Sequence, residues 1–222
     1  MPIRSAFYVD GFNLYHGISE LNEDFLKWCN LWKLADLLIP SKSETLVKVV
    51  YCSAYYPGDS QKWWRHNEYK KALELSGVTT VWGHYVHEPM NCKGCNRRWE
   101  KPTEKQGDIN VALHLFNDAV NGVFDKCYLV SADSDQAATA KMMKNAFPDK
   151  PLVSVAPPNR DFSNNVLEYA SGKIALNLDH IEKSLLPPIV LDGSGQKPAA
   201  RRPNEYTPPD WWVHPDDRPT KK

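Results

Sequence analysis

The chain has 222 residues with 27 basic and 27 acidic side chains, so its formal charge is zero and global charge says nothing in favour of nucleic acid; any basic groove must be local. Its apolar share of 42% and charged share of 24% fit a soluble globular domain long enough to bury a core, and no apolar run approaches the ~20 residues of a membrane helix. Five cysteines without a secretory leader point to a reducing, cytoplasmic setting with no disulfide framework.

In chain order, residues 6–9 read as a buried strand that runs into Asp10, followed by Gly11 and Asn13. Leu14, Ile18 and Leu21 stand at helical spacing and predict a helix over 11–21; apolar residues from Phe25 to Leu38 predict another, stopped before Pro40. The Val- and Tyr-rich stretch 46–55 predicts a strand, and Pro57-Gly58-Asp59 a turn. Ser60 is placed as the cap of a helix with Tyr69, Ala72, Leu73 and Leu75 on its apolar side, ended by Gly77. A strand over 78–85 ends at His87-Glu88-Pro89, and 91–105 reads as an irregular, cationic insert. Asp108 opens a helix to about Ala119 with Val111, Ala112, Leu115 and Phe116 inward. Then follow a strand over 126–130, a helix over 134–145 with Ala138, Met142 and Ala146 inward, a strand over 152–156, and helices over 164–170 and 174–181. This alternation predicts an α/β fold with a mostly parallel sheet covered on both faces. The proline-rich segment 187–222 predicts a linker-like tail without regular elements, mobile or draped on the surface. Within it, Trp211-Trp212 reads as a docking point for the chain's own domain, a neighbouring subunit or stacked bases.

Three stretches carry acids where chemistry is expected. Two apolar strands end in acids, at Asp10 and at Ser131-Ala132-Asp133-Ser134-Asp135, and Asp108 starts an apolar-periodic helix. Ligands of open α/β sheets bind at the carboxyl ends of the strands. Convergence of Asp10, Asp108, Asp133 and Asp135 there would suit Mg²⁺ or Mn²⁺, hard cations that take oxygen ligands and activate water. Each acid also has a plainer role open to it, as a helix cap or a complement to a helix dipole, and Asn13 could serve a water, a phosphate or a local turn.

The insert supplies a second constellation. His84, His87, Cys92 and Cys95 form an H-x2-H-x4-C-x2-C array that suggests zinc, with Cys52 or a second chain as other ligand sources and a metal-free reduced loop as the alternative. Lys93, Arg97, Arg98, Lys101 and Lys105 surround Trp99, the combination single-stranded RNA binding uses, or else a solvated charged loop. Lys62, Trp63, Trp64, Arg65 and His66 form a similar cluster, in which one Trp at helical spacing reads as core. The phosphate loops G-x-x-x-x-G-K-[ST] and G-x-G-x-x-G are absent, as is a G-x-S-x-G elbow, and Asp10 lacks the second acid of a D-x-D phosphotransfer strand.

The strings 7–14 (FYVDGFNL), 105–113 (KQGDINVAL) and 129–135 (LVSADSD) together resemble the NYN domain, a branch of the PIN-like nucleases, in that family's order across residues 6 to about 182. The resemblance implies a PIN-like three-layer α/β/α sandwich over 1–182 and a ribonuclease site using Mg²⁺ or Mn²⁺. It assigns metal holding to Asp10, Asp108 and Asp133, with Asp135 as the third block's second acid and Asn13 as the polar residue after the first. Metal-activated water would then cut single-stranded RNA to leave 5′-phosphate and 3′-hydroxyl ends. The pattern departs at His114, where many relatives place an Asp; Asp118 lies a turn further on. The alternative is a catalytically weak RNA- or partner-binding module. A homodimer, with Trp211 and Trp212 as one contact, is the expected assembly.

Overall fold

Side-chain alternation along the first strand sets the layers. In the computed structural model, which describes residues 1–55 and 58–218, β1 (Ile3–Asp10) sends Phe7 and Val9 to one face and Ala6 and Tyr8 to the other, all four buried. Burial on both faces is why this strand reads as an unbroken apolar run. It lies in the middle of a seven-stranded sheet with β2 (Glu44–Ala54), β3 (Thr79–Asn91), β4 (Arg98–Lys105), β5 (Lys126–Val130), β6 (Leu152–Ala156) and β7 (Gly172–Ala175), in the order β4-β3-β2-β1-β5-β6-β7. Every pairing is parallel except the β3–β4 hairpin.

Helices cover both faces. α1 (Gly11–Ser19), α2 (Leu31–Leu38) and α3 (Ser60–Leu75) bring Leu14, Leu31 and Leu73 to the core shared with Phe7 and Val9. On the other face, α4 (Gly107–Val120) and α5 (Ala137–Ala146) bring Val111, Leu115, Ala140 and Met143 against Ala6 and Tyr8. Strand order runs outward from β1 in opposite directions through β2 and β5, so the C-terminal end of β1 is a topological switch point. Among the described residues, no helix is long and apolar enough to cross a membrane.

Several expected elements are corrected. The helix expected over 25–38 is broken: a short 3₁₀ turn (Asp24–Lys27) precedes Asn30, whose side chain caps α2 by accepting from the Trp32 and Lys33 amides at 3.0 Å each. α3 is capped by Asp59 rather than Ser60, with bonds from the Gln61 and Lys62 amides. The 134–145 helix opens with a 3₁₀ turn (Ser134–Gln136), which shifts its phase; Ala140 and Met143 face the core while Met142 is 54% exposed and Ala138 and Ala146 lie outside. The stretch 174–181 divides between β7 and a capped helix, α7 (Leu178–Lys183), and the helix near 164 is only α6 (Asn164–Leu167). Pro57 of the expected turn lies outside the described residues, as do residues 219–222.

The insert is not irregular. β3 continues to Asn91 and pairs with β4 from His84–Lys105 to Asn91–Arg98. Gly83 permits that pairing: a Cβ there would fall 2.4 Å from the Lys105 carbonyl oxygen. The tail also contains regular structure, an antiparallel pair of β8 (Ile189–Leu191) and β9 (Pro198–Arg201). Its burial explains why proline does not unravel it: Leu186, Ala200 and Tyr206 pack with Trp28 and Ala72, and Trp28 Nε1 donates to the Pro187 carbonyl at 2.9 Å. Of the tryptophan pair, Trp212 docks on its own domain beside Phe25, donating to Glu182 at 2.7 Å, while Trp211 stays exposed.

Candidate functional site

β1 delivers Asp10 to the switch point with only 4% of its surface exposed. Asp10 caps α1, one oxygen accepting from the Asn13 amide at 3.0 Å and the other from the Ser131 hydroxyl at 3.0 Å. Gly11 is required next to it, because a Cβ there would lie 2.6 Å from both the Cys52 carbonyl oxygen and the Tyr51 ring. Beyond β5, the Asp133 amide donates to the same Ser131 hydroxyl at 3.1 Å, and the Asp133 carboxylate accepts from the Asp135 amide at 3.0 Å. Asn13 closes the link between the two loops by accepting from the Ala132 amide at 3.3 Å. Asp108 stands in the first turn of α4, after Gln106 turns the chain through a φ of +78°. The Gln136 side chain donates to the Asp108 carbonyl at 3.2 Å and its carboxylate at 3.4 Å. Capping and convergence therefore coexist: Asp10 and Asp133 are caps and neighbours at once.

The electrostatics of this corner are unbalanced. Burial pushes the Asp10 carboxyl above its ordinary range, and the Asp133 charge adds to that; bonds from Asn13 and Ser131 offset only part. Asp108 is raised by burial and then by the charges of Asp10, Asp133 and Asp135. Glu104, at the end of β4, is raised by burial and by Asp108 and Asp10, and the buried Cys52 thiol is pushed to about 12, with Asp10 and Glu104 contributing. Glu104 is the acid that sequence reasoning missed. It lies within 91–105, a stretch whose sequence reads as irregular and gives it no face. Ser131 and Gln136, which tie the loops together, were missed because hydrogen bonds between loops leave no periodic signal.

The donors here are all oxygens, as a hard divalent cation requires, and the Glu104 Oε1 atom is buried with no hydrogen-bond partner among the described residues. The shell is nonetheless open. Among the described residues, no three His, Cys, Asp or Glu side chains stand close enough to hold one ion. Asp118 does not contribute: it is buried elsewhere, accepting from the Tyr8 hydroxyl and from Lys48, both at 2.8 Å. Asp135 is exposed at the rim.

The expected zinc array does not assemble within the chain. His84, His87 and Cys92 all belong to, or directly follow, one extended strand, so at roughly 3.3 Å per residue His84 lies about 26 Å and His87 about 16 Å from Cys92. Cys52 is buried in β2, opposite Asp10. Cys92 and Cys95 do share the hairpin tip, where amides of Gly94 and Cys95 bond the Cys92 sulfur and lower its pKa. The cationic set is likewise spread along the hairpin. Lys93, Arg97, Arg98 and the 45%-exposed Trp99 lie toward the tip; Lys105 pairs with Glu88 at 2.7 Å; Lys101 lines a cavity that Asp108 and Asp133 also border. Trp63 and Trp64 are both about half-exposed, so neither is core.

A cavity of about 600 Å³ opens beside the carboxylates. Glu104, Asp108 and Asp133 border it, and the remaining lining combines aromatic rings from α1, β2, α3 and β3 with Lys62 and Lys101. His66 of α3 also lines it. Burial and the nearby Arg65 and Lys62 lower its pKa, and its Nδ1 finds no partner among the described residues.

No protein-family model matches the chain. The chain is 23% identical, over 250 residues covering 94% of it and 77% of that protein, to the 6-hydroxy-3-succinoylpyridine 3-monooxygenase HspA of Pseudomonas putida (strain DSM 28022 / S16). A solved structure of a Vibrio parahaemolyticus protein of unknown function matches with a TM-score of 0.53 at 17% identity, over 83% of this chain and 97% of that one. That likeness concerns the fold alone: an α/β chain with a large, mostly parallel central sheet flanked by helices.

Proposed function

We propose that this chain is a cytoplasmic, divalent-metal-dependent endoribonuclease of NYN type, with a PIN-like fold, that hydrolyses phosphodiester bonds of single-stranded RNA. The observation that carries this reading is the uncompensated corner at the switch point, where burial and mutual repulsion raise Asp10, Glu104 and Asp108 together. A cation would relieve that repulsion, and the residues that would hold one are Asp10, Asp108 and Asp133, drawn closer together than they stand here. When bound, Mg²⁺ or Mn²⁺ supplies a nucleophilic water and neutralises charge on the phosphodiester. The chain's own part is positional. Ser131 fixes Asp10 relative to Asp133, Asn13 ties α1 to the loop after β5, and Gln136 orients Asp108. Lys101 brings positive charge to the cavity wall where a strand's phosphates would pass.

The open carboxylate shell favours a second reading, a catalytically weak module that binds RNA or a partner. In either reading Cys92 and Cys95 offer half a zinc site, which the matching pair of a second copy would complete, and Trp211 remains available for such a dimer. The name of the Pseudomonas relative raises a further chemistry, oxygenation of a hydroxylated pyridine.

The test is cleavage of a labelled single-stranded RNA with Mn²⁺ or Mg²⁺. Asp10→Asn and Asp133→Asn should each lower the rate roughly a thousandfold, the scale of losing metal-borne charge stabilisation, with unchanged circular dichroism. Equal cutting by wild type and both variants would leave the binding module. Oxidation of 6-hydroxy-3-succinoylpyridine, assayed alongside, should not occur.

A further inference from the structure

We propose that the cavity beside the carboxylates is a nucleobase subsite, which takes the planar base of a nucleotide flanking the scissile phosphate after that base has left the stack of a single strand. The proposal rests on the ribonuclease reading and adds to it a specific place for the substrate's base.

The walls carry the argument. Phe12 and Tyr15 of α1 line one side while remaining 49% and 42% exposed. Tyr51, Trp82 and Tyr85, from the ends of β2 and along β3, line another. Trp82 is already held flat by the Tyr55 ring stacked on it, 4.2 Å between centroids at 14°. That stack takes one face of the indole and the Lys70 ammonium lies 5.9 Å from its centroid, so Trp82 is a fixed wall and the half-exposed Phe12 and Tyr15 rings supply the stacking surface. The cavity's volume, about 600 Å³, lies within the range of small-ligand clefts, and its aromatic lining with a few polar groups is their usual make-up.

Position ties the cavity to the acids. Phe12 is two residues from Asp10 on the same strand-to-helix turn, and Asp108 and Asp133 border the cavity directly. A base among the rings therefore leaves its own phosphodiester at the carboxylates, while Lys101 and Lys62 on the wall suit the neighbouring phosphates. A duplex keeps its bases inside the stack and presents no free ring face, so only an unpaired nucleotide reaches the slot. His66 Nδ1, without a partner among the described residues, adds an unused polar group to the same wall.

The experiment measures binding and cutting separately. Fluorescence anisotropy of a labelled RNA hexamer, with Ca²⁺ replacing the active cation, is run on wild type and on Phe12→Ala/Tyr15→Ala, two exposed positions where truncation spares the core. Tyr85→Ala serves as a second, independent variant. Both should bind the hexamer at least about tenfold more weakly, the scale of a lost base stack, with unchanged melting temperature, and a blunt duplex should bind poorly to all three proteins. Unchanged hexamer affinity in both variants overturns the subsite; if Asp10-dependent cleavage persists in them, the ribonuclease reading stands without it. Conversely, cavity-dependent binding without Asp10-dependent cleavage sinks the ribonuclease reading alone. Free adenine and free pyridine carboxylate form the last arm. Binding as tight as the hexamer's would make a small heterocycle, rather than a strand, the occupant and overturn the proposal.

Discussion

Asp10 and Glu44 are the same chemistry in two different circumstances. Both are buried carboxylates of adjacent parallel strands, exposed by only 4% and 5%, one at the C-terminal end of β1 and the other at the N-terminal start of β2. Burial alone would raise Glu44, but the Lys126 ammonium at 2.7 Å and hydroxyls of Ser5 at 2.6 Å and Tyr128 at 2.8 Å pull its pKa below the ordinary value. Asp118 is likewise buried with its own partners, accepting from the Lys48 ammonium and the Tyr8 hydroxyl. Asp10 receives an amide and a hydroxyl but, among the described residues, no ion-paired cation, so burial raises its pKa and the Asp133 charge adds to the rise. Where the fold uses a buried acid as structure, the chain brings its own lysine. At the switch point, among the described residues, no lysine or arginine forms an ion pair with Asp10, Asp108 or Asp133, and that difference separates a structural carboxylate from a candidate ligand.

The largest stability effect should come from breaking the balanced end. Glu44→Ala strips Lys126, Ser5 and Tyr128 of their shared acceptor and leaves a half-desolvated ammonium, at a cost of about 3 kcal/mol. For a chain of this length that is a fall of about 6–12 °C in melting temperature, measurable by circular dichroism. Asp108→Asn should cost nothing comparable, because it removes a repelled charge rather than a paired one. If the two variants melt alike, the contrast between the ends is wrong.

Intermediate in size is the response to a cation. A ligand that binds only the folded state at ten times its dissociation constant adds about 1.4 kcal/mol, so Mn²⁺ should raise the melting point of wild type by about 3–6 °C. Glu44→Ala should gain the same increment from its lower baseline, since its defect lies at the other end of the sheet. Asp10→Asn should gain little. An equal Mn²⁺ shift in all three would mean that the ion binds elsewhere, with the Cys92–Cys95 tip to be tested first.

How much of this contrast was legible beforehand depends on the kind of signal. Asp10, Asp108 and Asp133 were readable because each ends an apolar strand or opens an apolar-periodic helix, and the parallel sheet brings such ends to one edge. Glu104 was hidden because β4 alternates charged residues on an exposed hairpin, with none of the apolar contrast that marks a strand. For the same reason the zinc array looked plausible as a spacing: a loop could fold His84 back toward Cys92, whereas an extended strand holds them apart. Glu44 and Lys126 are 82 positions apart, and nothing in either neighbourhood announces the pair. The tail was misjudged on composition, because its order depends on Trp28 and α3 lying beneath it rather than on its own propensity.

The smallest effect is in pH dependence, and its sign is the sharpest test of the contrast. Asp10, Glu104 and Asp108 have folded pKa values above their unfolded ones, so the cation-free folded chain binds protons more tightly than the unfolded chain between the two. Stability must then fall as pH rises from the ordinary carboxylate range through the raised values, and acidifying from neutrality should at first stabilise the protein. Glu44 works in the opposite direction: its depressed pKa contributes stability that is complete above the ordinary glutamate value and lost as pH falls through the folded one. Chelator-treated protein should therefore melt highest on the acid side of neutral, with the decline at lower pH shared by Glu44 and the other carboxylates held low by their partners, Asp125 beside Arg4 among them. Asp108→Asn should shrink the rise and leave the decline in place. Saturating Mn²⁺ should abolish the rise, because protons then compete with a bound cation instead of relieving bare repulsion. A cation-free melting curve that is flat from neutral pH to the onset of acid loss would mean that the acids at the switch point are too well solvated to need an ion at all.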